Sequence, residues 1–180
     1  KDYSKHGKAV ASVRAGNVIG GGDWSDNRLI PDCIRSLEAG KDIEIRSPQA
    51  TRPWEHVLEP LSGYLKVGEK LMQDPVAYST SFNFGPSIEA NKTVWEVVQK
   101  VVECYGKGRV VDASEPGILH ENTLLSLDVT KAYRMLDKWH ARLSFGEAIA
   151  FTVAWYQEAV GGTDMWDYCV RQIQAHSDKE

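Results

Sequence analysis

The chain has 180 residues, 42% of them hydrophobic and 26% charged, with a formal net charge of −4. That composition favours no disordered, collagenous or coiled-coil class, and the acidic balance argues against a general nucleic-acid surface. No apolar run approaches the roughly 20 residues of a membrane span, no signal peptide appears, and the scattered Cys33, Cys104 and Cys169 read as buried thiols of a cytoplasmic protein.

Strands and helices alternate along the chain, the sign of an α/β layer architecture. Residues 9–13 are apolar and β-branched enough for a buried strand, which runs into Gly20-Gly21-Gly22. Three glycines let the backbone approach a ligand closely, and ligands of open α/β sheets sit beyond the carboxyl ends of the strands. A helix capped by Asp26 or Asn27 follows, with Pro31 in its first turn. Its apolar face is Ile30, Cys33, Ile34 and Leu37, and Gly40 ends it. Residues 43–46 alternate with period two, as a half-exposed strand does. A Ser47-Pro48 turn leads to Arg52-Pro53-Trp54, read as a second turn.

Residues 60–72 are helical, with Leu61, Tyr64, Leu65, Gly68 and Leu71 on one face, and 81–84 form a short strand. Thr93 and Glu96 make a capping box for a helix that Gly106 terminates. Residues 109–112 form a strand, 114–117 a turn and 123–127 another strand. Asp128 caps a short helix, and Ser144 with Glu147 opens one that runs to about Glu158. Asp164 starts a final amphipathic helix carrying Trp166, Cys169, Val170 and Ile173, and the six tryptophans read as core and lobe packing. With no repeats or linkers, residues 1–180 read as one unit. The first residues lack an initiator Met, so a fragment is expected.

Four phrases carry a resemblance: Arg14-Ala15-Gly16-Asn17-Val18-Ile19-Gly20, Leu29-Ile30-Pro31, Arg52-Pro53-Trp54 and Asn83-Phe84-Gly85. Their order and spacing resemble the C-terminal half of an extended short-chain dehydrogenase/reductase of the NAD-dependent epimerase/dehydratase family. The fold implied is the C-terminal part of a Rossmann-type parallel sheet, interleaved with a small mixed α/β substrate-binding lobe. Ile19-Gly20-Gly21 and Arg52-Pro53 depart from the wider family pattern towards its members that dehydrate CDP-glucose at carbons 4 and 6. Another NAD-dependent nucleotide-sugar epimerase or dehydratase, or a binding lobe without chemistry, stays open.

The resemblance implies oxidation at sugar C4 by bound NAD, loss of water across C5–C6, and return of the hydride to C6. The Gly-rich dinucleotide loop and the Tyr-x-x-x-Lys pair that this needs are not in the sequence; Gly7 stands four places after Tyr3. No catalytic residue is therefore assigned. The chain is expected to be inactive by itself, to supply the CDP-sugar pocket, and to be homo-oligomeric when full length. Carried over position by position, Asn17 and Asn83 contact phosphate, Leu29 and Ile30 cover the nucleotide, and Arg46 stacks on the base. Arg52 clamps the diphosphate through paired charge-assisted bonds, and His120 reaches the ribose. The plain alternatives are a surface ion pair for Arg52, an outward strand charge for Arg46 and an ordinary loop histidine for His120. His56, without metal spacing, reads as structural.

Overall fold

The computed structural model describes residues 8–114 and 126–179. The elements are β1 (Ser12–Ala15), β2 (Asn17–Ile19), α1 (Leu29–Glu38), β3 (Ile43–Ile45), β4 (Thr51–His56), α2 (Leu58–Gln73), α3 (Pro75–Tyr78) and β5 (Ser81–Phe84). They continue with β6 (Asn91–Thr93), α4 (Val94–Tyr105), β7 (Val110–Asp112), α5 (Thr130–Met135), α6 (Phe145–Val160) and α7 (Met165–Ser177). Parallel pairs dominate: β1 with β5, β2 with β4, and β3 with β7, while β6 adds antiparallel to β4. Long crossovers containing helices connect the parallel partners, as an α/β fold requires.

Two cores hold these layers together. The larger packs Cys33, Ile34 and Leu37 of α1 against Val97, Val98 and Val101 of α4 and Ile149, Val153 and Tyr156 of α6. The smaller packs Phe82 and Phe84 of β5 against Val67 of α2 and Leu136 and Trp139 beyond α5. Both capping boxes form: Thr93 and Ser144 each accept from the backbone of the glutamate three residues on, whose carboxylate returns the bond.

Several expectations are corrected. The first strand begins at Ser12 rather than residue 9, and Val10 and Val13 are exposed instead of buried, because β5 is the single described strand beside it. The cap of α1 is Arg28, which makes no side-chain cap bond; Asn27 instead sits at φ 60. Arg52-Pro53-Trp54 is not a turn but the middle of β4, where Trp54 stands opposite Asn17 and Pro53 opposite Asn91.

Helix α2 buries Glu59, Pro60, Gly63 and Val67, leaving Leu61 and Leu65 outside, the latter 78% exposed. Its inner face is set by Phe84, whose Cε1 lies 2.1 Å from where a Cβ on Gly63 would stand. Trp166, Val170 and Ile173 of α7 are likewise exposed, as is Trp24, so not every tryptophan packs inside. Of the cysteines, Cys33 is buried while Cys104 and Cys169 are partly exposed; all three are free thiols. Residues 126 and 127 are not in a strand, and the rest of that expected strand lies outside the described residues, as does most of the 114–117 turn.

Candidate functional site

A cavity of about 510 Å³ opens at the carboxyl end of β2 and at the start of α1. That volume lies within the range of small-molecule sites. One wall is the strand run from Gly16 to Gly20; another is the turn from Arg28 to Pro31; Trp54 of β4 closes the back, with its Nε1 donating to Lys92 O at 3.1 Å. Because Pro31 has no N–H, the first turn of α1 offers the N–H groups of Leu29 and Ile30, which have no intrahelical acceptor and lie at the positive end of the helix dipole. Arg28 adds a cation at the same rim. Asp23, also in the wall, accepts from Ser25 N at 2.9 Å, and this bond holds its pKa below the usual carboxylate range.

The loop that shapes this cavity is held from behind by α6. Tyr156 Oη donates to Asp23 O at 2.6 Å, and the ring of Trp24 stacks edge-on against Tyr156 at 5.1 Å. A Cβ on Gly21 would lie 1.9 Å from Trp155 Cγ, and one on Gly20 would lie 2.8 Å from Val57 Cγ1. Gly22 has φ 81. The glycines thus serve mainly protein packing and a left-handed turn, and among them Gly20 alone lines the cavity. This corrects the expectation of a three-glycine ligand loop. It also means that the loop does not fit a dinucleotide, because the space beside Gly20 and Gly21 is occupied by Val57 and Trp155.

Strand β4 and the start of α2 bury Glu55, His56 and Glu59. Glu55 is 2% exposed; Oε1 accepts Gly16 N at 3.0 Å, and Oε2 has no hydrogen-bond partner among the described residues. Burial, with a smaller contribution from the Glu59 charge and against the Gly16 bond, pushes its carboxyl up to about 7. His56, equally enclosed, is pushed down to about 4 by burial. Glu59 behaves differently. Burial alone would raise it, but the His176 side chain, with backbone bonds from Leu143 N at 2.8 Å and Arg142 N at 3.0 Å, brings it below its ordinary value. His176 Nε2 stands 3.3 Å from Glu59 Oε2. Glu59 therefore ties α2 to the α5–α6 connection and to the end of α7.

Of the residues singled out from sequence, the structure brings Asn17, Leu29 and Ile30 together in the cavity. Arg52 shares a strand face with Trp54 by the period of two, and its Nη1 donates to Thr51 O at 2.8 Å, but it does not line the cavity. Asn83 sits on β5, accepting from Arg14 Nη1 at 3.5 Å and donating to Asp128 O at 3.2 Å. Arg46 is exposed beyond β3, and His120 lies outside the described residues. Sequence reasoning missed Arg28, Asp23 and Trp54 as wall residues. The signal for Arg28 was present in the neighbouring Leu29-Ile30-Pro31 phrase. Among the described residues there is no cluster of three or more metal-ligating side chains, and no helix long and apolar enough to cross a membrane.

No family model matches the chain. It is 43% identical over 172 residues to CDP-glucose 4,6-dehydratase of Salmonella typhimurium, which is 96% of this chain and 48% of that protein. The chain thus spans about half the length of the curated relative it matches, corresponding to its C-terminal portion. Among solved structures it is similar to dTDP-glucose 4,6-dehydratase of Bacillus anthracis in complex with NAD, with TM-score 0.67 and 18% identity over 89% of this chain and 49% of that one. It is also similar to DesIV, a dTDP-glucose 4,6-dehydratase of Streptomyces venezuelae, with TM-score 0.69 and 21% identity over 90% and 48%. A third is UDP-glucuronic acid 4-epimerase of Bacillus cereus, with TM-score 0.69 and 12% identity over 87% and 48%. The fold is therefore that of half of a Rossmann-type dehydratase or epimerase chain.

Proposed function

We propose that this chain supplies the nucleotide-sugar pocket of a CDP-glucose 4,6-dehydratase, an NAD-dependent lyase that turns CDP-glucose into CDP-4-keto-6-deoxyglucose and water. The observation that carries this reading is the 43% identity over 172 residues to the Salmonella typhimurium enzyme. The cavity's chemistry agrees with it. The opening turn of α1 and the Arg28 guanidinium suit a pyrophosphate, because unpaired N–H groups and a planar cation both favour anionic oxygens. The Asn17 carboxamide offers a donor and an acceptor beside them, and Leu29, Ile30 and Trp54 give apolar cover.

Arg52, on the same face of β4 as Trp54, is the diphosphate clamp in this reading, with Asn83, Arg46 and His120 contributing at the nucleotide. NAD supplies the hydride acceptor and donor of the cycle, but the Gly20–Gly22 loop does not fit it. The cofactor and the acid–base groups belong, in this reading, to the part of the whole enzyme that the chain does not span. The whole enzyme is a cytoplasmic homo-oligomer.

The test offers the intact protein CDP-, dTDP- and GDP-glucose and follows the 4-keto product. Turnover of CDP-glucose is the expected result, and turnover restricted to dTDP-glucose overturns the assignment.

A further inference from the structure

Glu55 stands behind the cavity wall and has no part in the reading above. Strand β4 runs parallel to β2 with Val18 opposite Glu55. Side chains alternate along a strand, so position 55 leaves β4 on the face opposite Trp54. There Oε1 accepts Gly16 N at 3.0 Å, at the junction of β1 and β2. The backbone oxygen of Pro53 lies 3.0 Å from where a Cβ on Gly16 would be. Glu55 thus holds Gly16 by a hydrogen bond while Pro53 leaves no room for a side chain there, and the next residue, Asn17, is the polar group of the strand wall.

The buried carboxyl makes one hydrogen bond through Oε1 and none through Oε2 among the described residues. An ionised carboxylate has about four acceptor sites to satisfy, and one N–H leaves it poorly compensated. The neutral acid is the form that this geometry suits. We propose that Glu55 is a positioning residue for the nucleotide-sugar pocket: neutral, it fixes Gly16 and Asn17; ionised, it sets a negative charge behind the pyrophosphate. This rests on the pocket reading given above.

The titratable groups facing Glu55 are Glu59 and Tyr64, both on α2, and the Glu59 charge opposes its ionisation. The β1–β2 junction and β2 present Gly16 to Ile19, none of which titrates, and β5 presents Ser81 to Phe84, which do not either. On the cavity side stand Asp23 and Arg28. Burial places the Glu55 transition near pH 7, within reach of a binding experiment. The pyrophosphate of a nucleotide sugar lacks the monoester ionisation near pH 6, so the ligand's charge stays constant across this range.

CDP-glucose affinity of the intact protein is measured by calorimetry at pH 6 and pH 8 for the wild type, Glu55→Gln and Glu55→Ala. Amide hydrogen exchange of residues 15–20 is followed alongside. Wild-type affinity should weaken about five- to tenfold at the higher pH, the size expected of one partly screened charge. Glu55→Gln, which keeps an acceptor for Gly16 and cannot ionise, should bind equally at both. The Gly16 amide should exchange faster in Glu55→Ala and at the wild-type rate in Glu55→Gln. An unchanged pH slope in Glu55→Gln, or an unchanged Gly16 amide in Glu55→Ala, overturns the proposal. A wild type that binds no CDP-glucose at either pH brings down the pocket reading and the proposed role at the pocket with it. The exchange data then report separately on whether Glu55 holds Gly16.

Discussion

Trp155 fills the volume that a Cβ on Gly21 would take, with its Cγ 1.9 Å and Cδ2 2.1 Å from that point. A residue of α6 thereby dictates the identity of a loop residue more than 130 positions earlier. Contact this close cannot be relieved by a flexible side-chain end, since the ring junction itself is the obstacle. The loop at one end of the cavity and the helix behind it must shift together.

Gly21→Ala should therefore destabilise the protein by about 1 to 3 kcal/mol, the usual cost of overpacking. Urea unfolding measures it. Gly22→Ala should also destabilise, but through its positive φ rather than through collision, because Trp155 there stands 3.4 Å away. Equal stability of Gly21→Ala and the wild type would mean that Trp155 moves aside freely.

Glu59 binds two backbone N–H groups from the α5–α6 connection while buried, so its removal orphans both. Glu59→Ala should cost about 3 kcal/mol or more, and Glu59→Gln less, since an amide oxygen still accepts one bond. Its folded pKa is lowered, so this contribution is present above the ordinary glutamate range and is lost as pH falls through the folded value. Unfolding midpoints at pH 7 and pH 3 should differ less in Glu59→Gln than in the wild type.

His56 carries its proton less readily folded than unfolded, having been pushed down to about 4 by burial. The unfolded chain binds the extra proton between about pH 6.5 and 4, so stability falls across that window on acidification. Glu55 acts in the opposite sense: its raised value gives stability present below about 4.5 and lost as pH rises through about 7. His56→Asn should flatten the acid side of the stability profile, and Glu55→Gln the neutral side. Denaturant titrations from pH 4 to pH 8 separate the two.

Arg52→Ala should weaken CDP-glucose binding by about 1.5 to 3 kcal/mol, the loss expected for a charge-assisted hydrogen bond. Arg28→Ala, at the cavity rim, should weaken it by a comparable amount. Calorimetry of the intact protein measures both, and unchanged affinity in either variant removes that arginine's proposed role in binding the nucleotide sugar.

Local rules written in the residues account for much of the fold. Thr93 with Glu96, and Ser144 with Glu147, announce two helix starts because a capping box satisfies its own donors without outside help. The apolar spacing of α1 is equally self-sufficient, since its four-residue stripe is wide enough for one packing direction only. The phrases around Asn17 and Leu29-Ile30-Pro31 likewise meet around one cavity in the fold.

What tertiary structure decided are the places where two local choices were nearly equivalent. Helix α2 carries two candidate apolar faces, and the ring of Phe84 selects the one with Gly63, leaving Leu65 outside. Arg52-Pro53-Trp54 becomes strand because β2 and β6 flank it; a proline beside a tryptophan reads as a turn until those partners exist. Asp137 and Lys138, where a glycine would be the easy choice, take φ 52 and 62, with Lys66 and Lys70 each 2.9 Å from the Asp137 carboxylate. The three glycines after β2 read as ligand-facing from their own neighbourhood. Only the arrival of α6, carrying Trp155 and Tyr156, shows that protein atoms occupy most of the room they leave, because close packing depends on partners far away in the chain.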